Sequence, residues 1–392
     1  MNLIWLIYRR FSAYIEYISF TFILLFLWDK NQSLYPILLF CLFFYSAPSI
    51  GAFFSTLLTN KVSPKISLLL SALIQAIQIA IFILFNGEIS NEIIIAMGIL
   101  GGLSSGIKSS AEYVFERSYE DDQPELNVQS AKALWWELIK TITTFVSAYY
   151  VSVNGTFSVL FQMIFVATII NAFAILLLKQ KYPLRNSNFK EIFRLPGTNP
   201  EKTLLIKAQF IDGIYEGINA TIIPIALLFF VKNIFDWGLI NMLLMVLSIA
   251  FSIFYIETVN NQSYKQFYGI TAFTFAAVSI FTIFNYNIYV LLGYMIITTF
   301  NEVSSTIGYN TIVEKLIDMD SQKKSLLSEY KLLLEIFFGF GRIIPLIGMY
   351  YLKFDFGEEN IIKIALIAAS LLPLLTITVF GDSRLFKPLH LK

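Results

Sequence analysis

The sequence predicts an all-α membrane protein: twelve transmembrane helices in two six-helix bundles, with both termini cytoplasmic. Three observations lead there. Of 392 residues, 57% are hydrophobic and 14% charged, whereas a soluble globular chain carries about 25% charged residues and could not cover its surface with fewer. Apolar runs long enough to cross a hydrocarbon core of about 30 Å recur from end to end. The basic residues fall in alternate connections between those runs.

The remaining composition excludes whole classes of chemistry. There is one histidine, His390, and one cysteine, Cys41, inside an apolar run. An internal disulfide, a His/Cys metal site and a His-based triad are therefore ruled out. The net charge is +1, which gives no global field for nucleic acid. Met1–Arg10 places its arginines after the apolar residues, so it reads as the start of an uncleaved first span.

In order, the spans are expected at 11–28, 35–59, 66–86, 91–112, 130–153 and 157–178, then at 204–231, 236–257, 267–285, 288–313, 327–352 and 360–380. At about 1.5 Å per residue each reaches across the hydrocarbon, the first being the shortest. The fifth and eleventh begin with polar residues and are the least apparent to hydropathy. With a cytoplasmic N-terminus, eighteen Lys and Arg fall inside and four (Lys30, Lys232, Lys353 and Lys363) outside. A wrong span count would reverse every later loop and mix the two sets.

The longest polar interruption follows the sixth span and carries Pro183, Pro196 and Pro200 among basic residues. It divides the chain into an N-terminal bundle (1–179), a cytoplasmic linker (180–203) and a C-terminal bundle (204–392). At an offset of 198, Glu116–Leu138 matches Glu314–Ile336 without a gap. Glu116, Asp122, Ser130, Leu134 and Glu137 face Glu314, Asp320, Ser328, Leu332 and Glu335. Both segments run from the loop after a fourth span into a fifth, so the halves are parallel repeats, with a substrate site expected where they meet.

Twelve spans, a 6+6 repeat and a long basic central loop make the whole chain resemble the major facilitator superfamily. That family's loop between its second and third helices runs Gly-x-Leu-Ala-Asp-Arg-x-Gly-Arg-Arg/Lys. The aligned stretch here is Thr56-Leu57-Leu58-Thr59-Asn60-Lys61-Val62-Ser63-Pro64-Lys65. Asn60 stands for the acid, Lys61 and Lys65 keep the basic character, and both glycines are gone. The resemblance implies a gating role for Asn60, Lys61 and Lys65. It also implies that spans 1, 4, 7 and 10 line a central cavity, that 2, 5, 8 and 11 join the halves, and that 3, 6, 9 and 12 face lipid.

The charges inside the spans follow that division, as costly intramembrane charges that face a wet interior should. They are Glu16, Lys108 and Glu112, Glu137 and Lys140, Lys207, Asp212 and Glu216, Glu302, and Glu329, Lys331, Glu335 and Arg342. Spans 3, 6 and 9 carry none, and span 12 carries only Lys363 at its edge. Asp212, Tyr215, Glu216 and Asn219 share one helical face ahead of Pro224. Glu216 and Glu302 lie nearest the midplane with no cation in sequence reach. They are the leading candidates for a proton or substrate site, with Glu16, Asp212, Asn219, Tyr215 and Lys108 in support. Glu137, Lys140, Glu335 and Arg342 form a candidate charge network between the bundles, although Glu137 and Lys140 could simply neutralise each other. Glu112, Lys207, Glu329 and Lys331 lie close enough to the interface to snorkel.

The expected function is a secondary active transporter using alternating access, exporting a small cationic or amphipathic molecule in exchange for protons. Against export, the fifth span lacks the Gly-x-x-x-Gly-Pro-x-x-Gly-Gly signature of drug-exporting family members. Proton-coupled uptake of a nutrient or metabolite is one alternative, and a receptor or sensor without net flux is another. No enzyme, cofactor or metal site is expected. The partners are a small-molecule substrate, protons and the lipid bilayer, without nucleic acid, and the chain is expected as a monomer in the cell membrane.

Overall fold

The computed structural model describes residues 3–85, 89–117, 125–178, 187, 189, 200–259, 263–318 and 327–381. Most of the linker at 180–203 lies outside the described residues. The first half contains α1 (Leu3–Asn31), α2 (Leu34–Ser46), α3 (Pro48–Lys61), α4 (Pro64–Leu84), α5 (Asn91–Arg117), α6 (Glu125–Asn154) and α7 (Ser158–Leu176). The second contains α8 (Pro200–Val231), α9 (Ile234–Thr258), α10 (Tyr264–Phe284), α11 (Ile288–Asp318), α12 (Leu327–Phe356) and α13 (Glu358–Gly381).

Helices α2 and α3 run in series as one span, Leu34–Lys61. The sequence predicts one unbroken helix at 35–59; it divides at Ala47 because Pro48 brings no N–H and fits best as a first helical residue. Among the described residues, ten helical spans are long and apolar enough to cross a membrane. The eleventh, α12, is among them, contrary to expectation, because its polar first turns precede a long apolar run. With α6 and α10 the set is twelve. Most helices extend past their expected starts, since polar turns continue the hydrogen-bonded ladder beyond the apolar stretch.

Local chemistry sets the turns. Ser33 accepts from the Tyr35 amide at 3.2 Å and Ser63 from the Lys65 amide at 3.0 Å, capping α2 and α4. Asn233 caps α9 in the same way at 2.9 Å. Such short connections make sequential helices antiparallel. We call the end where α1 begins and α13 finishes the near end, and the opposite one the far end.

Within the first half, α5 packs against α2, α3 and α4; within the second, α8 packs against α12 and α13. Gly98, Gly102 and Gly106 recur at four-residue intervals on α5 and lie against the carbonyls of Phe40, Phe44 and Pro48, which share that spacing. Hydrogen in place of a side chain lets the backbones touch, the usual basis of close helix packing in lipid. The halves meet where α6 packs on α9 and where α12 packs on α2 and α3.

The apolar core explains where space is left. At the far end one continuous cluster joins the halves, from Ile23, Leu24 and Leu27 to Ile222, Ile225 and Leu227. At the near end it divides. One cluster gathers Trp5, Tyr8, Leu68 and Phe115, and a separate one gathers Leu205, Tyr255, Ile307 and Ile312. The apolar core is thus continuous at the far end and divided at the near end.

Candidate functional site

Between those two near-end clusters lies a cavity of about 750 Å³. Its walls come from α1, α2, α5, α6, α8, α9, α11 and α12. Among the described residues, α4, α7, α10 and α13 contribute nothing to it. These are the third, sixth, ninth and twelfth spans.

Among the described residues, five carboxylates line the cavity: Glu16, Glu137, Asp212, Glu216 and Glu302. Three cations face them: Lys140, Lys331 and Arg342. Rings of Tyr17, Phe20, Tyr45, Tyr113, Tyr309 and Phe338 fill much of the wall between.

Most of the charges are drawn into pairs. Glu16 meets Lys108 at 2.6 Å and accepts from Ser105 Oγ at 2.8 Å. Lys108 also donates to the Ser12 carbonyl at 3.1 Å and lies behind the wall, against a small pocket between α1, α2, α4 and α5. Glu137 meets Lys140 at 2.7 Å, one turn along α6. Glu335 meets Lys331 at 3.1 Å and Arg342 at 3.7 Å.

Arg342 corrects the expectation for Glu216. Its Nη2 donates to Glu216 Oε1 at 2.6 Å, so Glu216 does have a cation partner, brought from 126 positions away by the packing of α8 on α12. The guanidinium also lies 3.8 Å from the Phe338 ring and 4.9 Å from the Tyr45 ring. Flat, delocalised charge suits such stacking. The proposed network between bundles is corrected as well: the ion pairs of Glu137 with Lys140 and of Glu335 with Arg342 each lie within one half. Between the halves, the Arg342 guanidinium lies on the Tyr45 ring, and Lys140 and Glu302 line the same cavity from opposite sides.

Asp212 and Glu302 have no ion-pair or hydrogen-bond partner among the described residues. Nearby, Asn301 Nδ2 donates to Tyr215 Oη at 3.3 Å, and Tyr309 Oη donates to Gln209 at 2.9 Å. Asn219 lines the cavity at 6% exposure, and neither of its amide atoms has a partner among the described residues.

The candidate gating residues lie apart from the cavity. Asn60 is fully buried at the end of α3, where its Nδ2 donates to Glu329 Oε1 at 3.2 Å and to Ser187 Oγ at 2.9 Å. Ser328 Oγ stands 2.9 Å from both Asn60 Oδ1 and Glu329 Oε2, with one proton to share between them. The clasp therefore joins the halves at the near end, with the carboxylate on α12 and the amide on α3. Lys65 reaches the carbonyls closing α7, including Leu178 at 3.2 Å, while Lys61 is exposed. Glu329 is buried and Lys331 faces the cavity, so neither snorkels as expected; Glu112 instead accepts from Tyr8 Oη at 3.1 Å. Lys207 is exposed.

Sequence reasoning missed Tyr45, Phe338 and Gln209, which are unremarkable in span sequences and acquire their place only through packing. Among the described residues, no cluster of three or more His, Cys, Asp or Glu is placed to hold a metal ion.

No family model matches the chain, and no curated protein matches it in sequence. Among solved structures, the human organic anion transporter MFSD10 (TETRAN) is similar. It superimposes with a TM-score of 0.61 at 12% identity, over 96% of this chain and 94% of that one. The fold is therefore of the major facilitator type.

Proposed function

We propose that this chain is a secondary active transporter that moves a small cationic or amphipathic molecule outward in exchange for protons. The observation that carries the reading is the cavity between the halves, in which Asp212 and Glu302 have no ion-pair partner among the described residues. Five lining carboxylates against three lining cations favour a cationic occupant, and stacked rings favour one with apolar surface. The structural neighbour's title names organic anions. In this chain the cation best shaped to take an anion, Arg342, is already held by Glu216 and Glu335.

In this reading Glu302 carries the exchangeable proton. It lines the same cavity as Lys140 of the other half, so a change in its charge alters the force between the bundles. Protonation removes an attraction across the cavity, and release of the proton to water restores it. Residues 1–179 and 204–392 move as the two units, with 180–203 as the linker. The near end, with Arg9, Arg10, Lys61 and Lys65, is assigned to the cytoplasm by its basic residues, and the chain to the cell membrane as a monomer.

The test uses proteoliposomes containing the full chain, an internal pH dye and an external alkylamine. Transport gives proton movement that depends on the amine and is lost in Glu302→Gln. Amine binding with no flux in either direction would instead make the chain a receptor, and amine moving together with protons would reverse the assignment to uptake.

A further inference from the structure

The hydrogen bond between Tyr215 and Asn301 fixes the register of α8 against α11, which run antiparallel. Counting about 1.5 Å per residue from that level, Asp212 and Glu302 fall on its near side, within about 3 Å of each other along the axis. Asn219 falls on its far side, about 7 Å beyond Glu302. Past Asn219, α8 presents Ile223 and Pro224 to the cavity, and the far-end core closes it.

The cavity therefore has two chemically different levels. The outer one holds Asp212 and Glu302, which have no ion-pair partner among the described residues. The inner one holds a neutral amide that offers both a donor, Nδ2, and an acceptor, Oδ1, neither of them used by the protein's described residues. Burying such a group unpaired is costly, and its geometry lets a ligand recover that cost. An ammonium cannot satisfy both atoms, since it has no acceptor. A plain alkylamine would place hydrocarbon there and leave the amide as it is. A hydroxyl or a carboxamide has both a donor and an acceptor and fits.

We propose that the substrate is an amine whose ammonium group sits at Asp212 and Glu302 and whose far end carries a hydroxyl or carboxamide that bonds Asn219. A spacer of about four to six atoms spans the two levels. This inference rests on the central cavity being the substrate site and narrows the class of substrate within it.

The test measures binding of two probe series to the purified full chain by calorimetry: n-alkylamines and ω-amino alcohols of three to eight carbons. The amino alcohols should bind about tenfold more tightly at the best chain length, and that advantage should peak at intermediate length rather than grow steadily. In Asn219→Leu the two series should converge on the same Kd, and in Glu302→Gln both should weaken. Equal affinity for the two series in the wild-type protein overturns the proposal and needs no variant. So does binding of neither series, or an advantage that survives Asn219→Leu. The result is separable from the transport reading: a clear preference without flux leaves this inference standing and removes that one, whereas flux of both series at equal Kd does the reverse.

Discussion

Replacing Gly217 with alanine should loosen the pairing on which the second half depends. A methyl group there would lie 2.7 Å from the Arg342 carbonyl oxygen and 2.9 Å from its Cα. Ordinary contact begins near 3.4 Å, so the helices must part by roughly 0.7 Å. The atoms in the way are backbone, so no side chain can swing aside. Overpacking of this kind costs about 1–3 kcal/mol, and the helix propensity of alanine over glycine returns up to about 1 kcal/mol. The shift also falls on the 2.6 Å bond from Arg342 to Glu216, the neighbour of the substituted residue. Thermal unfolding of purified protein in detergent should show Tm lowered by roughly 1–3 °C, since the shift per kcal/mol shrinks with chain length. Gly348→Ala provides the control: it sits on the same α12 with nothing within 4 Å, so its Tm should hold or rise. If Gly217→Ala unfolds at or above the wild-type temperature, α8 and α12 are not packed backbone to backbone, and the Arg342–Glu216 geometry is wrong.

Two further predictions concern the near end and the first half. Asn60→Leu removes the amide from the buried clasp and leaves Glu329 with fewer hydrogen bonds, a cost of about 1–3 kcal/mol. A cysteine placed at Ser305 in the cavity wall should then react faster with an impermeant maleimide from the near side; an unchanged rate would mean that the clasp does not restrain that end. Lys108→Met leaves Glu16 without its 2.6 Å partner, at a cost of about 3 kcal/mol, the low end for a buried pair because Glu16 keeps part of its side chain open to the cavity. Adding Glu16→Gln should recover much of that loss in thermal unfolding, whereas simple additivity of the two changes would show the pair to be uncoupled.

The span pattern was readable because lipid imposes one rule on every helix, a run of apolar residues of fixed length. The spans that stay out of the cavity could be told apart because a charge facing hydrocarbon is costly, and α4 and α10 have none inside their apolar stretches. Asp212, Tyr215, Glu216 and Asn219 could be placed on one face because helical spacing is a local property. Partners across the fold were not readable. Glu216 meets Arg342 from 126 positions away, and Lys108 meets Glu16 from 92. Glu329 looked like a residue at the membrane edge because its depth could be counted, but its burial depends on Asn60 arriving from the other half. The glycines of α8 carried no signal of their own, since a glycine that lets two backbones touch and one that faces open space are the same letter.

The central claim is that one cavity is reached from each side of the membrane in turn, and counterflow tests it most directly. Proteoliposomes containing the full chain are loaded with excess unlabelled amine, chosen as the tightest binder of the probe series, and diluted into a trace of the same amine carrying a radiolabel. Alternating access predicts a transient accumulation of label above its equilibrium level, without any imposed gradient of protons. Saturable binding of the labelled amine with no such overshoot would contradict the account.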